Sequence, residues 1–142
     1  MANNYVGTAC EVTFPAEDTA RAKSVHAEWL KVYEKAMAED ITFLYTSFEV
    51  EIFDGILHAY GEEFVDLKAL EDFLCFFLNE MGIKEPVEVS WAYTCDKPRA
   101  GQFGGGTMII SRNQPTIHVY ASTEAWRLYN ERAEAFKAKE TK

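Results

Sequence analysis

The stretch Thr94-Cys95-Asp96-Lys97-Pro98-Arg99-Ala100-Gly101-Gln102-Phe103-Gly104-Gly105-Gly106 gathers more chemistry than any other part of the chain. Three consecutive glycines permit positive φ and close backbone approach, and successive N–H groups can form a nest for an anion. Lys97 and Arg99 add positive charge, and a guanidinium can grip a carboxylate or phosphate through two parallel hydrogen bonds. The segment therefore reads as a ligand or partner loop built from Thr94, Cys95, Lys97, Arg99, Phe103, Gly104, Gly105 and Gly106. It matches neither the P-loop nor the dinucleotide fingerprint, and it precedes a strand instead of a helix. The structural alternative is a bulged connection whose glycines relieve crowding and whose Arg99 caps local carbonyls.

Two further groups have reactive residue types. Cys95 lies beside Lys97 and Arg99, surroundings that depress a thiol pKa. A thiolate nucleophile also needs a base, and the histidines are His26, His58 and His118. His26 falls on the apolar stripe of a helix and is expected as a packed core residue. His118 alternates with Ile117 and Val119 on a strand and is expected to be exposed. Neither is placed next to Cys95. Glu49, Glu51 and His58 are expected on one outer hairpin face, where two carboxylates and an imidazole can hold a metal or move protons. The plainer reading is a solvated face with one cross-strand ion pair, worth about 0.2–1 kcal/mol. Together with Glu62 and Glu63 these residues form a candidate acidic interaction face. The three cysteines Cys10, Cys75 and Cys95 are odd in number and have no zinc-ligand spacing, so they read as unpaired thiols. No catalytic residue, metal site or cofactor is assigned from the sequence.

The elements that must position these groups follow from periodicity. Tyr5–Phe14 alternates as a strand up to Pro15, and Ala22, Val25, Trp29, Val32 and Ala36 recur at helical spacing over residues 16–38. Tyr45–Phe53 and Ile56–Tyr60 flank Asp54-Gly55, a type I′ turn signal that pairs Phe53 with Ile56, Glu51 with His58 and Glu49 with Tyr60. That register puts Phe48, Val50, Ile52, Leu57 and Ala59 on the core face. Phe53, Ile56 and Tyr60 fall on the outer face, which implies cover from the last helix or a partner. Asp66 caps a second helix that Gly82 ends, with Leu67, Leu70, Leu74, Phe77 and Met81 as its stripe. Val87–Tyr93 alternates as a fourth strand. Thr107–Ser111 and Thr116–Ala121 form a second hairpin, and Ser122 or Thr123 caps a final helix carrying Ala125, Trp126, Leu128, Tyr129, Ala133 and Phe136. The order βαββαβ followed by ββα predicts a single α+β domain over residues 1–142. Its expected core is ferredoxin-like, an antiparallel sheet with helices on one face, extended by the hairpin and C-terminal helix.

Composition narrows the function classes. The chain is 48% hydrophobic with 20 aromatic residues among its 142, enough to build a core without disulfides. A formal charge of −9 argues against direct nucleic-acid binding. The charge is uneven: residues 1–66 carry 13 acidic and 4 basic side chains, residues 94–142 carry 5 and 8. Such polarity can steer a charged partner. No apolar run reaches the ~18–20 residues that span a bilayer, and Met1–Tyr5 lacks the features of a signal peptide. A cytoplasmic location is expected, with no membrane partner.

The motif Trp91-x-x-Thr94-Cys95-x-Lys97-Pro98-Arg99-x-x-x-Phe103-Gly104-Gly105-Gly106, followed by Thr123-Glu124-x-Trp126, resembles small proteins encoded by bacteriophages and plasmids. The likeness covers residues 83–126; the first half shares only its order of elements. It implies a mobile-element accessory protein in the cytoplasm of a bacterial host, and it transfers no catalytic residue. The favoured sequence reading is a non-enzymatic protein that binds a host protein or complex, in its narrower form an acidic inhibitor of a host-defence complex such as CRISPR. The alternative is a small module that binds an anionic ligand through residues 94–106. An enzyme using Cys95 or the Glu/His face is a third reading. A sheet edge leaves room for a homodimer.

Overall fold

The Asp54-Gly55 pair behaves as a type I′ turn demands. Both residues have positive φ, 46° and 78°. In the computed structural model of the chain, which describes residues 4–39, 48–63, 65–95 and 104–140, this turn joins β2 (Glu49–Phe53) to β3 (Ile56–Gly61). The register pairs Glu49 with Tyr60, Glu51 with His58 and Phe53 with Ile56, as the two-residue loop predicts. Gly55 is tied to the chain that precedes the first helix. Its carbonyl accepts the Phe14 N–H at 2.9 Å, and its own N–H donates to Thr19 Oγ1 at 3.0 Å. A Cβ there would lie 2.6 Å from the Phe14 carbonyl oxygen, so the position is closed to other residues on two counts.

Strand β1 (Asn4–Thr13) ends before Pro15, and a 3₁₀ turn at Ala16–Asp18 leads into α1 (Thr19–Glu39). The predicted helix thus begins with a tighter turn, closed by Thr19 Oγ1 donating to the Ala16 carbonyl at 2.7 Å. Helix α2 (Leu67–Met81) has both of its expected ends. The Asp66 carboxylate accepts the Ala69 N–H at 3.0 Å, satisfying one orphan donor of the first turn. Gly82 is left-handed at φ 67°, and Ile83 N–H reaches back to the Leu78 carbonyl at 3.0 Å, closing a Schellman motif. Ile83 and Leu78 are both buried, which supplies the apolar contact that accompanies it.

β4 (Val87–Cys95), β5 (Gly104–Ile110) and β6 (Ile117–Tyr120) complete a six-stranded sheet in the order β2-β3-β1-β4-β5-β6. Every neighbouring pair is antiparallel. The second hairpin therefore extends the sheet instead of covering it. α1 and α2 pack on one face, where Cys10, Val12, Leu57, Ala59, Val87, Val89, Trp91, Met108 and Ile110 meet Trp29 and the apolar side of α2. Alternation sends Glu11, Glu49, Glu51, Phe53, Ile56, His58, Tyr60, Glu88, Thr107, Ile109, Ile117 and Val119 to the other face, and none of these is buried. The fold is α+β, with a six-stranded antiparallel sheet and three α-helices among the described residues. None of the described helices is long and apolar enough to cross a membrane.

The third helix departs from expectation. α3 (Ala121–Glu140) starts immediately after β6, with no residue between for the predicted Ser122 or Thr123 cap. It packs beside β5 and β6, at the far side of the sheet from β2, so it does not cover the Phe53/Ile56/Tyr60 patch.

His26 sits at the rim of the core, its ring edge-on to Phe73 with centroids 5.3 Å apart. Burial disfavours the imidazolium and lowers its pKa below the usual 6.5. A depressed folded-state pKa means that the stability it contributes is present above pH 6.5 and is lost as the pH falls through the folded value. The urea midpoint is expected to drop between pH 6.5 and 5, and His26→Leu to lose that part of the slope. An unchanged slope in the variant would assign the acid sensitivity elsewhere.

Candidate functional site

The residues singled out by sequence fall into three places. Thr94 and Cys95 close β4, and Gly104, Gly105 and Gly106 open β5. Lys97, Arg99 and Phe103 lie outside the described residues, so the proposed anion loop is described only at its two ends. The ladder brings those ends together beside the same residue, since Tyr93 pairs with Gly104.

The glycines have a packing role that is visible without any ligand. A Cβ on Gly106 would lie 2.5 Å from Trp91 Cζ2 and 2.6 Å from the Val119 carbonyl oxygen. A Cβ on Gly105 would lie 2.4 Å from the Trp91 carbonyl oxygen. Both positions need a residue without a side chain because β4 and β6 approach β5 closely there. Gly104 is different: its nearest neighbour, Tyr93 Cδ2, is at an ordinary 3.8 Å.

The hairpin register brings Glu49, Glu51 and His58 to one outer face. Glu49 and Glu51 are exposed on β2, and Tyr60 Oη donates to Glu51 Oε1 at 3.1 Å. Hydrogen bonding to Glu49 and then Glu51, with their negative charge, holds the Tyr60 phenol above its ordinary pKa. His58 stacks on Tyr60, ring centroids 4.8 Å apart, and is cross-strand from both Glu51 and Glu11. Glu62 and Glu63 are exposed in the bend after β3, where the Glu63 carbonyl accepts the Val6 N–H at 2.6 Å. Among the described residues no group of three or more His, Cys, Asp or Glu side chains is arranged to hold a metal. Cys10 is buried beneath the sheet and its thiol is pushed up to about 11 by desolvation, the chemistry of a core thiol. Burial likewise raises the Cys75 thiol.

Two features were not found from sequence. The first is a cavity of about 440 Å³ between the first turns of α2 and strands β4–β6, lined by Leu67, Lys68, Glu71, Trp91, Tyr93, Met108, His118 and Tyr120. Cross-strand pairing puts Trp91, Gly106 and Tyr120 in one row, and Val89, Met108 and His118 in the next. With no side chain at the middle of the first row, the Trp91 and Tyr120 rings meet edge to face at 5.7 Å. Glu71 Oε2 lies 3.3 Å from His118 Nε2 across the cavity. Trp91 is buried and its Nε1 has no hydrogen-bond partner among the described residues. The sequence signal was the pair of alternations Trp91/Tyr93 and His118/Tyr120, but their meeting depends on strand neighbours that periodicity does not name.

The second feature is the exposure of α3, a helix that the sequence predicts but not as an uncovered one. Trp126, Leu128, Tyr129 and Phe136 are 63, 53, 52 and 59% exposed, and no described residue of the helix is buried. Ala125, Trp126, Tyr129, Ala133 and Phe136 recur at three- and four-residue intervals, so one stripe of the helix is apolar. On the opposite side Arg127 is paired with Glu124 and, at 2.7 Å, with Glu131. No protein-family model, no curated protein and no solved structure matches the chain.

Proposed function

We propose that the protein is a non-enzymatic interaction module that docks on a partner protein through α3, with the adjoining strand β6 at the rim of the contact. The observation that carries this reading is the exposed apolar stripe of α3. Its Trp126, Tyr129 and Phe136 are the residue types that concentrate binding energy at protein interfaces. Ile117 and Val119 on β6 are also exposed, 62 and 44%. Monomeric domains rarely leave so many large apolar side chains of one helix stripe in water. An amphipathic helix laid into a groove of a partner is a recurring solution to that exposure.

The resemblance of residues 83–126 to phage- and plasmid-encoded proteins points to a bacterial host protein as the partner. The narrower reading, an acidic inhibitor of a host-defence complex, places the contact instead on Glu49, Glu51, Glu62 and Glu63. The two readings differ in salt dependence. An acidic surface that displaces nucleic acid weakens steeply as salt rises, whereas an apolar stripe does not.

The test is affinity capture of the tagged protein from bacterial lysate, run in parallel with Trp126→Glu/Phe136→Glu. A stoichiometric partner retained at moderate salt by wild type is expected, with affinity reduced about 30-fold or more in the variant, the size of one lost hot spot. The exposure of both positions leaves the fold and its circular dichroism unchanged. Equal capture by both proteins removes α3 as the docking element.

A further inference from the structure

We infer that the cavity under the first turns of α2 binds a small organic cation, an alkylammonium or guanidinium. The lining includes Trp91, Tyr93 and Tyr120, aromatic residues whose ring faces attract cations within about 6 Å. The Glu71 carboxylate, 16% exposed, supplies a charged acceptor that a cationic donor can meet in place of His118. Trp91 is 6% exposed and its Nε1 is closed off from solvent, so the indole offers the cavity its ring and not its N–H. The volume, about 440 Å³, is that of a small-molecule site.

The surrounding charges agree with that sign. Lys68 is the cation of the lining, and it turns outward to Asp72 at 3.1 Å, its side chain 74% exposed. The positive end of the α2 dipole is answered by the capping carboxylate of Asp66. The chain as a whole carries −9, which enriches cations and depletes anions at its surface. This site stands without the docking reading of α3.

The experiment follows the Trp91 indole N–H resonance, assigned with Trp91→Phe, during titration with choline, L-arginine amide and inorganic phosphate. A saturable shift is expected with at least one of the two cations, at a Kd of about 1 mM or tighter, and none with phosphate. Glu71→Gln is expected to weaken the cation about tenfold or more, through loss of a charged hydrogen bond, while Glu88→Gln on the opposite face leaves it unchanged. Tyr120→Leu removes an exposed wall without disturbing the core and is expected to weaken binding as well. A blocked arginine tripeptide distinguishes the source: tighter binding than arginine amide identifies a polypeptide side chain as the cation, and equal or weaker binding a free small molecule. The proposal is overturned if neither cation gives a saturable shift, if phosphate shifts the resonance equally, or if Glu71→Gln binds as wild type does.

Discussion

Phe73→Ala is expected to lower the unfolding free energy by about 3–5 kcal/mol, the range for truncating a fully enclosed phenylalanine. Phe73 has no exposed surface, and its ring lies within 6.0 Å, centroid to centroid, of His26, Trp29, Phe48 and Phe77. These neighbours come from α1, α2 and the start of the hairpin, so the cavity left by alanine would be bordered by elements fixed to the sheet elsewhere. Collapse around it is therefore limited, which places the cost in the upper part of the range. Chemical denaturation with an unchanged m-value is the check. A loss below about 1 kcal/mol would mean that α1 does not seat on α2 as described.

Gly106→Ala is expected to cost about 3 kcal/mol or more, the high end of overpacking, although it adds a single methyl group. Most overpacked side chains can retreat, but here the new carbon would meet the Trp91 ring at 2.5 Å and a backbone oxygen of β6 at 2.6 Å. The ring is itself enclosed, so relief requires β5 to move away from β6 or Trp91 to leave its place. Near-ultraviolet circular dichroism should register the displaced indole. Gly104→Ala, two residues earlier on the same strand, meets only Tyr93 Cδ2 at 3.8 Å and is expected within about 0.5 kcal/mol of wild type. Equal costs at the two positions would contradict the packing explanation of the glycine run.

The contrast between those two glycines shows what periodicity can and cannot read. The Asp54-Gly55 turn fixed its hairpin register from sequence because a two-residue loop leaves a single pairing of the residues on either side. Asp66 and Gly82 bounded α2 because both signals act through the backbone of their own helix. The run Gly104–Gly106 carries no such local instruction. Its meaning comes from Trp91 and Val119, which reach it only when β4 and β6 flank β5. Glu71 and His118 are 47 residues apart, and their meeting likewise requires the packed sheet. The stripe of α3 was legible as a helix and misleading as packing, because amphipathicity states that a face will be covered without naming what covers it.

Strand β1 has consequences for the order in which the protein is made. It is the first of the six strands to be synthesised, yet it sits inside the sheet between β3 and β4. On the ribosome the β2–β3 hairpin can close early, but the centre of the sheet stays open until residues up to Cys95 have left the exit tunnel. During that interval Val6 and Ala9 wait for their partners Tyr93 and Ser90, which makes the nascent chain a natural client for chaperones. α3 follows β6 and adds no described buried residue to what has already closed. Translation thus delivers the apolar helix only after all six strands of the sheet that carries it.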